Sequence, residues 1–276
     1  MPTSFLEDLF GFGYECYYIS PDNRIPIEKK IEIILSLFKD IILFINIDYE
    51  IPGVNWSSII YDLVRNKGLG TNVGVLYARR KTPYENESIE RYFIGEIGIV
   101  CGCIQLEYKK NNNLEIIAKM LYANQAQGRR KAIRILCNSA YTYSIDRLSD
   151  EPVSGALQDI SLSHFSVFIP NNGKQMFKIY EKIPDIHFNI KGFFFRSDAV
   201  LYLERKMEAG TLFVFAFMDS EGKSGLDYKT KAFLAPHLYK ILSSYSNALM
   251  EKAFKLYAEN SDLDKSIPTL KEVEEI

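Results

Sequence analysis

The apolar positions in the first half of the chain alternate between helical and extended spacing. After Pro26 they recur every three or four residues, which predicts an amphipathic helix of about three turns. The apolar positions of this helix are Ile27, Ile31, Ile34, Leu35 and Phe38. A buried strand is predicted at 41–47, extended segments at 73–77 and 92–106, and further helices after Asn55 and around 114–121. This pattern predicts a compact mixed α/β unit that ends near residue 124.

Extended segments dominate the second half of the chain. Aromatic and β-branched runs with turn residues between them occur at 133–143, 157–169, 177–183, 185–195, 200–204 and 212–218. Short strands at this spacing are typical of an antiparallel barrel or sandwich. An apolar stripe that extends from Leu238 to Tyr257, after Pro236, predicts a long C-terminal helix. The predicted fold class is therefore α+β.

A polar segment without periodicity at 124–130 marks the predicted domain boundary. We predict an N-terminal α+β regulatory domain at 1–124, a basic linker at 125–131, and a β-rich domain with its helix at 132–258. Residues 259–276 form a polar tail, in which Leu270, Val273 and Ile276 allow one further turn.

The composition narrows the classes of protein that remain. With 47% hydrophobic and 25% charged residues, the chain has the balance of a globular protein. The net charge of −2 supplies no field that would attract nucleic acid or an anionic membrane. No apolar run reaches the roughly 20 residues of a membrane span, and the first residues do not resemble a signal peptide, so we expect a cytoplasmic protein. The four cysteines form neither a disulfide framework nor a zinc motif, so no metal is expected.

A basic cluster lies directly after the predicted boundary. Four cations fall within six residues, and they are Arg129, Arg130, Lys131 and Arg134. Arginine suits a bidentate grip on phosphate or on a guanine edge and also stacks on bases. A solvated surface cluster is the alternative interpretation for such a run.

Asp159 and Ser161 lie two residues apart in the next extended run. In a strand, both side chains would project from the same face. The carboxylate can accept guanine N–H groups, and the hydroxyl can bond a base or a phosphate. The alternative is a turn pair that satisfies local backbone amides. Together with the basic cluster, this pair favours a small ligand that carries both guanine and phosphate.

These residues resemble the signature of the PilZ family of bacterial cyclic di-GMP receptors. Arg130 and Arg134 match its Arg-x-x-x-Arg motif, with Arg129 ahead of them, and Asp159 and Ser161 match its Asp/Asn-x-Ser-x-x-Gly motif. The resemblance covers about residues 125–258. It implies a six-stranded antiparallel barrel with a C-terminal helix, and a non-enzymatic receptor with cyclic di-GMP as its ligand. An additional N-terminal domain is similar to those of the two-domain flagellar brake and spirochaetal PilZ proteins.

His164 occupies the position of the glycine in the second motif. An imidazole there fills space that glycine leaves open, so the ring either alters the pocket or stacks on a base. One alternative is therefore a degenerate PilZ module that binds proteins but not the dinucleotide. Another is a protein that grips single-stranded RNA, which the near-neutral net charge disfavours. No nucleophile–histidine–acid arrangement indicates an enzyme.

The position of the arginines in a linker suggests how a ligand would act. Arginines that clamp an anionic dinucleotide would order the hinge and fix one domain against the other. We therefore expect reorientation of the domains on binding. The resemblance implies a signal to a protein partner, with a flagellar motor or other motility component as the candidate.

Overall fold

The computed structural model describes residues 4–22, 24–38, 41–67, 73–77, 81–126, 132–146, 152–170, 177–219, 221–259 and 267–274. The chain divides into two compact units. The parallel-sheet unit comprises Met1–Leu9, Cys16–Arg129 and Ser243–Ile276, and the barrel unit comprises Phe10–Glu15 and Arg130–Leu242. The break at residues 129 and 130 falls inside the predicted linker, whose residues 127–131 lie outside the described ranges.

The parallel-sheet unit is built on three short parallel strands in the order β1–β2–β3. These strands are β1, Leu43–Asn46, β2, Val73–Tyr77, and β3, Cys103–Gln105. Every residue of β2 is buried, as expected for a central parallel strand with both faces covered. The helices described before the barrel are α1, Ser4–Gly11, α2, Ile27–Leu37, α3, Trp56–Tyr61, α4, Pro83–Glu90, and α5, Lys110–Ala123.

Helices α2 and α3 begin where the sequence predicts. Helix α2 follows Pro26 and buries Ile27, Ile31 and Ile34 of the predicted stripe. Leu35 is only half-buried and Phe38 is the C-cap, whereas Ile33 and Leu37 are buried in addition. Helix α3 is capped by Asn55, whose Oδ1 accepts a hydrogen bond from the Ser58 N–H at 3.1 Å. It continues as a π-helical turn through Asp62–Asn66.

The extended structure predicted for 92–106 is wrong for most of this segment. Residues Arg91–Ile97 continue α4 as a π-helical turn, and only Cys103–Gln105 form a strand. Helix α4 starts at a capping box, in which the Glu85 N–H donates to Thr82 Oγ1 at 3.3 Å and the Thr82 N–H donates to Glu85 Oε2 at 2.7 Å. Phe93 and Ile97, four residues apart, then bury the same helical side. Capping and burial thus override the extended preference of an aromatic, β-branched sequence.

The C-terminal residues contribute to the core of the parallel-sheet unit. Helix α6 spans Tyr228–Glu259 and α7 spans Leu270–Glu274. Their buried residues pack with those of α2 and with Ile25, two residues before it, in one cluster of Ile25, Ile33, Leu37, Ala253, Tyr257 and Val273. The division therefore differs from the predicted domains, because 243–259 lie in this unit rather than with the barrel and because the predicted polar tail holds the fully buried Val273. The physical reason is the apolar face of α2, which these residues cover.

The barrel unit contains a closed antiparallel ring of six strands. Its order is β6–β5–β8–β9–β10–β7, and β7 pairs with β6 to close it, while the two-residue β4 pairs with the end of β6, on the edge that β5 uses earlier in the strand. The strands are β4, Ile135–Leu136, β5, Tyr141–Ile145, β6, Val153–Ile160, β7, His164–Pro170, β8, Lys182–Ile190, β9, Phe193–Met207, and β10, Gly210–Met218. The predicted α+β class, the barrel and the long C-terminal helix are confirmed.

Phenylalanine rings fill the interior of the barrel. Phe165 is fully buried, and its ring lies 4.9 Å from that of Phe188, 5.0 Å from that of Phe215 and 5.1 Å from that of Phe217. Residues 213, 215 and 217 alternate into this core because successive strand side chains point to opposite faces. The polar side chains of the candidate site lie on the opposite, outer face of the barrel.

Candidate functional site

The second predicted motif lies where β6 ends, turns and enters β7. Asp159 is the last residue but one of β6 and pairs with Leu136 of β4 and with Ser166 of β7. The register between β6 and β7 shifts between Leu157 and Asp159, so Gln158 is an extra residue on β6. A β-bulge of this kind re-aims the side chain that follows it. Asp159 therefore projects beside Ser166 on the outer face of the barrel.

Arg134 and Asp159 meet at this face. Arg134 Nη1 lies 3.8 Å from Asp159 Oδ2, which also accepts a hydrogen bond from Ser166 Oγ at 2.7 Å. Asp159 Oδ1 is buried and has no hydrogen-bond partner among the described residues. An unpaired buried carboxylate oxygen costs free energy unless a donor completes it. The pair thus combines a cation with an acceptor that still requires a donor.

Ser161 shapes the turn between the two strands. Its Oγ donates to the His164 carbonyl oxygen at 3.0 Å and accepts the His164 N–H at 3.0 Å and the Ser163 N–H at 3.3 Å. The side chain is 1% exposed, so these partners occupy its hydroxyl. Its role in the structure is to fix the turn that starts β7, which is the alternative that the sequence left open for this residue.

His164 stands at the first position of β7 and carries a half-buried imidazole. Ser163 Oγ lies 2.9 Å from Nδ1, and the ring of Tyr202 lies 5.9 Å away at 72°, an edge-to-face arrangement. Burial is the main cause that lowers the pKa of His164, and the positive charge of Arg134 adds to it, whereas Asp159 acts in the opposite direction. The imidazole is therefore neutral at pH 7.

Cys137 lies next to the same carboxylate, and its backbone N–H donates to the Gln158 carbonyl oxygen at 2.9 Å. Burial, with a smaller contribution from the Asp159 charge, raises the pKa of Cys137 to about 12. The thiol is therefore protonated and gives the site no nucleophile.

The structure brings together four of the six residues predicted for the site. These are Arg134, Asp159, Ser161 and His164, whereas Arg129 and Arg130 lie outside the described residues. Sequence reasoning missed Ser166 and Tyr202. Ser166 could have been found by strand alternation, since it lies two residues after His164. Tyr202 belongs to an aromatic series in the sequence that is more typical of barrel core than of a stacking surface, but the structure leaves it 61% exposed.

Among the described residues, no cluster of three or more histidine, cysteine or acidic side chains is arranged to hold a metal ion. Within the described part of the chain, no helix has the length and apolar character needed to cross a bilayer.

No protein-family model matches the chain, and no curated protein matches it. Among solved structures, YcgR from Escherichia coli in complex with c-di-GMP is similar over 46% of this chain and 50% of its own, with 19% identity and a TM-score of 0.35. The PilZ domain of the same protein with c-di-GMP matches over 44% of this chain and 96% of its own, with 16% identity and a TM-score of 0.37. The Bacillus subtilis inhibitor of motility, MotI/DgrA, matches over 42% of this chain and 52% of its own, with 11% identity and a TM-score of 0.34. The matches thus span about half the length of the full YcgR and MotI chains.

The elements around the site follow one another in a definite order along the chain. Arg134 precedes β4, Asp159 lies near the end of β6, which is the second strand along the chain of the closed six-stranded barrel, and α6 comes after the last strand. This is the order that the motif resemblance implies. The identities and TM-scores of the three structures leave the functional assignment to the residues of the site.

Proposed function

We propose that this chain is a non-enzymatic receptor for cyclic di-GMP, with its ligand site on the outer face of the barrel. One observation carries the proposal. The Arg134 guanidinium and the Asp159 carboxylate, 25 positions apart in the sequence, lie 3.8 Å from each other, and the second carboxylate oxygen is buried with no donor among the residues that the structure describes. A ligand that offers both an anion and N–H donors satisfies both groups at once.

Each group has a distinct role in this proposal. Asp159 Oδ1 accepts N–H groups of a guanine edge, while Ser166 holds Oδ2 in place. Arg134 binds a phosphate or the other guanine edge, as a planar guanidinium does. Arg129 and Arg130 are proposed to add contacts to the phosphodiester. Ser161 contributes through the turn that its hydroxyl fixes.

Isothermal titration with cyclic di-GMP tests the proposal. We expect heat of binding from the wild type, and affinities weaker by roughly tenfold or more for Arg134→Ala and Asp159→Asn, because each variant removes a charge-assisted hydrogen bond. Arg196→Ala is the matched control, since Arg196 is an exposed arginine of the same barrel, ion-paired with Asp185 at 3.4 Å. No heat from the wild type, or equal losses in Arg134→Ala and Arg196→Ala, would overturn the proposal.

We further propose that binding changes the relative orientation of the two units and that this change signals to a protein partner of a motility system. The support is the position of Arg129 and Arg130 in the predicted linker, next to the break between the units. Small-angle scattering at saturating ligand tests this step. Superimposable curves with and without cyclic di-GMP would contradict it while leaving the receptor proposal intact.

A second function is favoured by the ring of His164. It is half-buried at the position where the motif has glycine, so the barrel could serve as a protein-binding module that has lost the dinucleotide. Under this alternative the wild type gives no heat with cyclic di-GMP, and His164→Gly gains binding.

A further inference from the structure

Two of the β-bulges in the barrel flank the β7–β10 pair, one on each side. The first is the bulge at Gln158, which precedes Asp159 on β6. The second lies on β9, where Val214 pairs with Leu203 and Phe215 pairs with Leu201. Tyr202 is the residue left between these pairs. Bulges are common next to binding and active sites, where they redirect a side chain.

The second bulge explains how Tyr202 reaches His164. On β10, Ala216 pairs with His164 of β7 and with Val200 of β9, so β10 separates the strands of the two aromatic residues. Despite this separation, the ring centroids of Tyr202 and His164 lie 5.9 Å apart. Tyr202 is also 61% exposed, although a large aromatic side chain gains stability when it is buried. Its position is explained neither by strand alternation nor by burial.

The two rings form a corner. Their planes are inclined at 72°, so a flat group that lies against one ring meets the other with its edge. The His164 Nδ1 lies 2.9 Å from Ser163 Oγ, and no hydrogen bond to Nε2 is present among the described residues. The corner is thus an aromatic surface with one polar atom, next to the Arg134–Asp159 pair whose charges act on the imidazole.

We propose that the His164–Tyr202 corner stacks on one purine base of the ligand and so determines its affinity for purine dinucleotides. This inference rests on the proposed function and extends it to two residues outside the motif pattern. In this inference the imidazole of His164 contributes to binding by stacking, whereas its place at the glycine position of the motif would suggest that it obstructs the ligand. Stacking on an aromatic side chain suits a base because every base presents a flat π-face.

Titration of variants with cyclic di-GMP distinguishes stacking by an aromatic ring from simple filling of space by a side chain. For Tyr202→Leu and for His164→Ala we expect affinity for cyclic di-GMP weaker by about tenfold, and for Tyr202→Phe affinity within about twofold of the wild type. Phe194→Leu is the matched control, because Phe194 is 73% exposed and lies on β9 about 26 Å before Tyr202 along the strand. The control variant should bind as the wild type does.

A spectroscopic probe reports stacking directly. A cyclic dinucleotide in which 2-aminopurine replaces one guanine loses fluorescence when its base stacks, so we expect strong quenching on binding to the wild type and to Tyr202→Phe. Quenching at saturation should fall in Tyr202→Leu and stay unchanged in Phe194→Leu. A merely structural role of Tyr202 would alter the affinity but not the quenching of the bound probe.

The outcomes distinguish this inference from the proposed function. If the wild type binds cyclic di-GMP and both Tyr202→Leu and His164→Ala bind equally well, the inference is overturned and the receptor proposal stands. If His164→Gly binds more tightly than the wild type, the imidazole obstructs the site and the inference is overturned. If the wild type does not bind, the receptor proposal fails and the inference falls with it.

Discussion

Lys30 is a buried cation whose partners come from two parts of the parallel-sheet unit, the segment before α2 and helix α6. It is 3% exposed, and its Nζ donates to the Ser20 carbonyl oxygen at 2.8 Å and to Asp22 Oδ2 at 2.5 Å. The ammonium also lies 5.1 Å from the centre of the Phe254 ring. A buried charge is stable only when it is paired in this way, so Lys30 links the segment before α2 to α6.

Replacement of Lys30 should therefore destabilise the protein. For Lys30→Met we expect the free energy of unfolding to fall by roughly 2 kcal/mol, because two charge-assisted hydrogen bonds and a cation–π contact are lost. Urea denaturation followed by circular dichroism measures it. The control is Lys29→Met, which removes a 45% exposed lysine paired with Glu32 and should change stability by about 0.5 kcal/mol or less. Equal losses in the two variants would contradict the role assigned to Lys30.

The same ion pair predicts a pH dependence. The hydrogen bond from Lys30 is the largest cause that lowers the pKa of Asp22, from 3.8 to about 2. A carboxyl whose pKa is depressed in the folded state stabilises the fold above its unfolded pKa and loses that contribution as the pH falls towards the folded value. The stability difference between the wild type and Lys30→Met should thus be constant above about pH 5 and narrow between about pH 4 and pH 2. Denaturation curves across this range measure it, and a difference that widens on acidification would refute the assignment.

The residues of the site show what a sequence can and cannot predict. Arg134 and Asp159 were found because the chemistry of a guanine-bearing anion needs these types, and their proximity follows from one local strand pair. The role of Ser161 was left open because strand β6 ends at Ile160, and a one-residue change in a strand end decides whether a hydroxyl faces outward or caps a turn. Tyr202 was missed as a site residue because a bulge on β9 sets the direction of its side chain. The residue types around it do not indicate that a bulge forms there.

At the level of elements, strands were easier to predict than the helix at 83–97. The barrel strands alternate phenylalanine with other residues, and that period of two survives in the structure. Residues 92–97 have the same aromatic, β-branched composition, but they follow a capped helix and bury Phe93 and Ile97 at helical spacing. The intrinsic strand preference of such runs is weak, so the helix cap at Thr82 determines that residues 92–97 are helical.

Strand β7 provides a test of how the barrel is held together. Phe165 is fully buried among Phe188, Phe215 and Phe217, so Phe165→Ala should lower the free energy of unfolding by about 4 kcal/mol, through lost burial and the cavity that remains. Urea denaturation measures the loss. Phe194→Ala removes a ring of the same size that is 73% exposed and should cost less than about 1 kcal/mol. A small effect of Phe165→Ala would show that the core collapses around the cavity.

At the scale of the whole molecule, the chain does not divide into one segment for each unit. The parallel-sheet unit needs residues 243–276, since Ala253, Tyr257 and Val273 are buried against its α2. The sequence does not predict this division, because the apolar stripe of α6 is continuous and does not indicate which of its residues pack in which unit. The polar composition of 259–276 likewise does not indicate that α7 packs in a core, since Val273 is the one residue of α7 that the structure describes as buried.

A fragment of residues 1–126, which approximates the predicted N-terminal domain, should therefore be unstable on its own. Without residues 243–276, the buried side chains of Ile25, Ile33 and Leu37 lose their cover, and exposed apolar surface of this kind favours a loosely packed state. We expect the fragment to bind the dye ANS and to melt without a cooperative transition. A peptide of residues 243–276 added in trans should restore cooperative melting, and a Val273→Asp peptide should not, because it would place a charge at a fully buried position. Cooperative melting of the fragment alone would show that α2 finds its cover within the first 126 residues, and that α6 and α7 are dispensable for this unit.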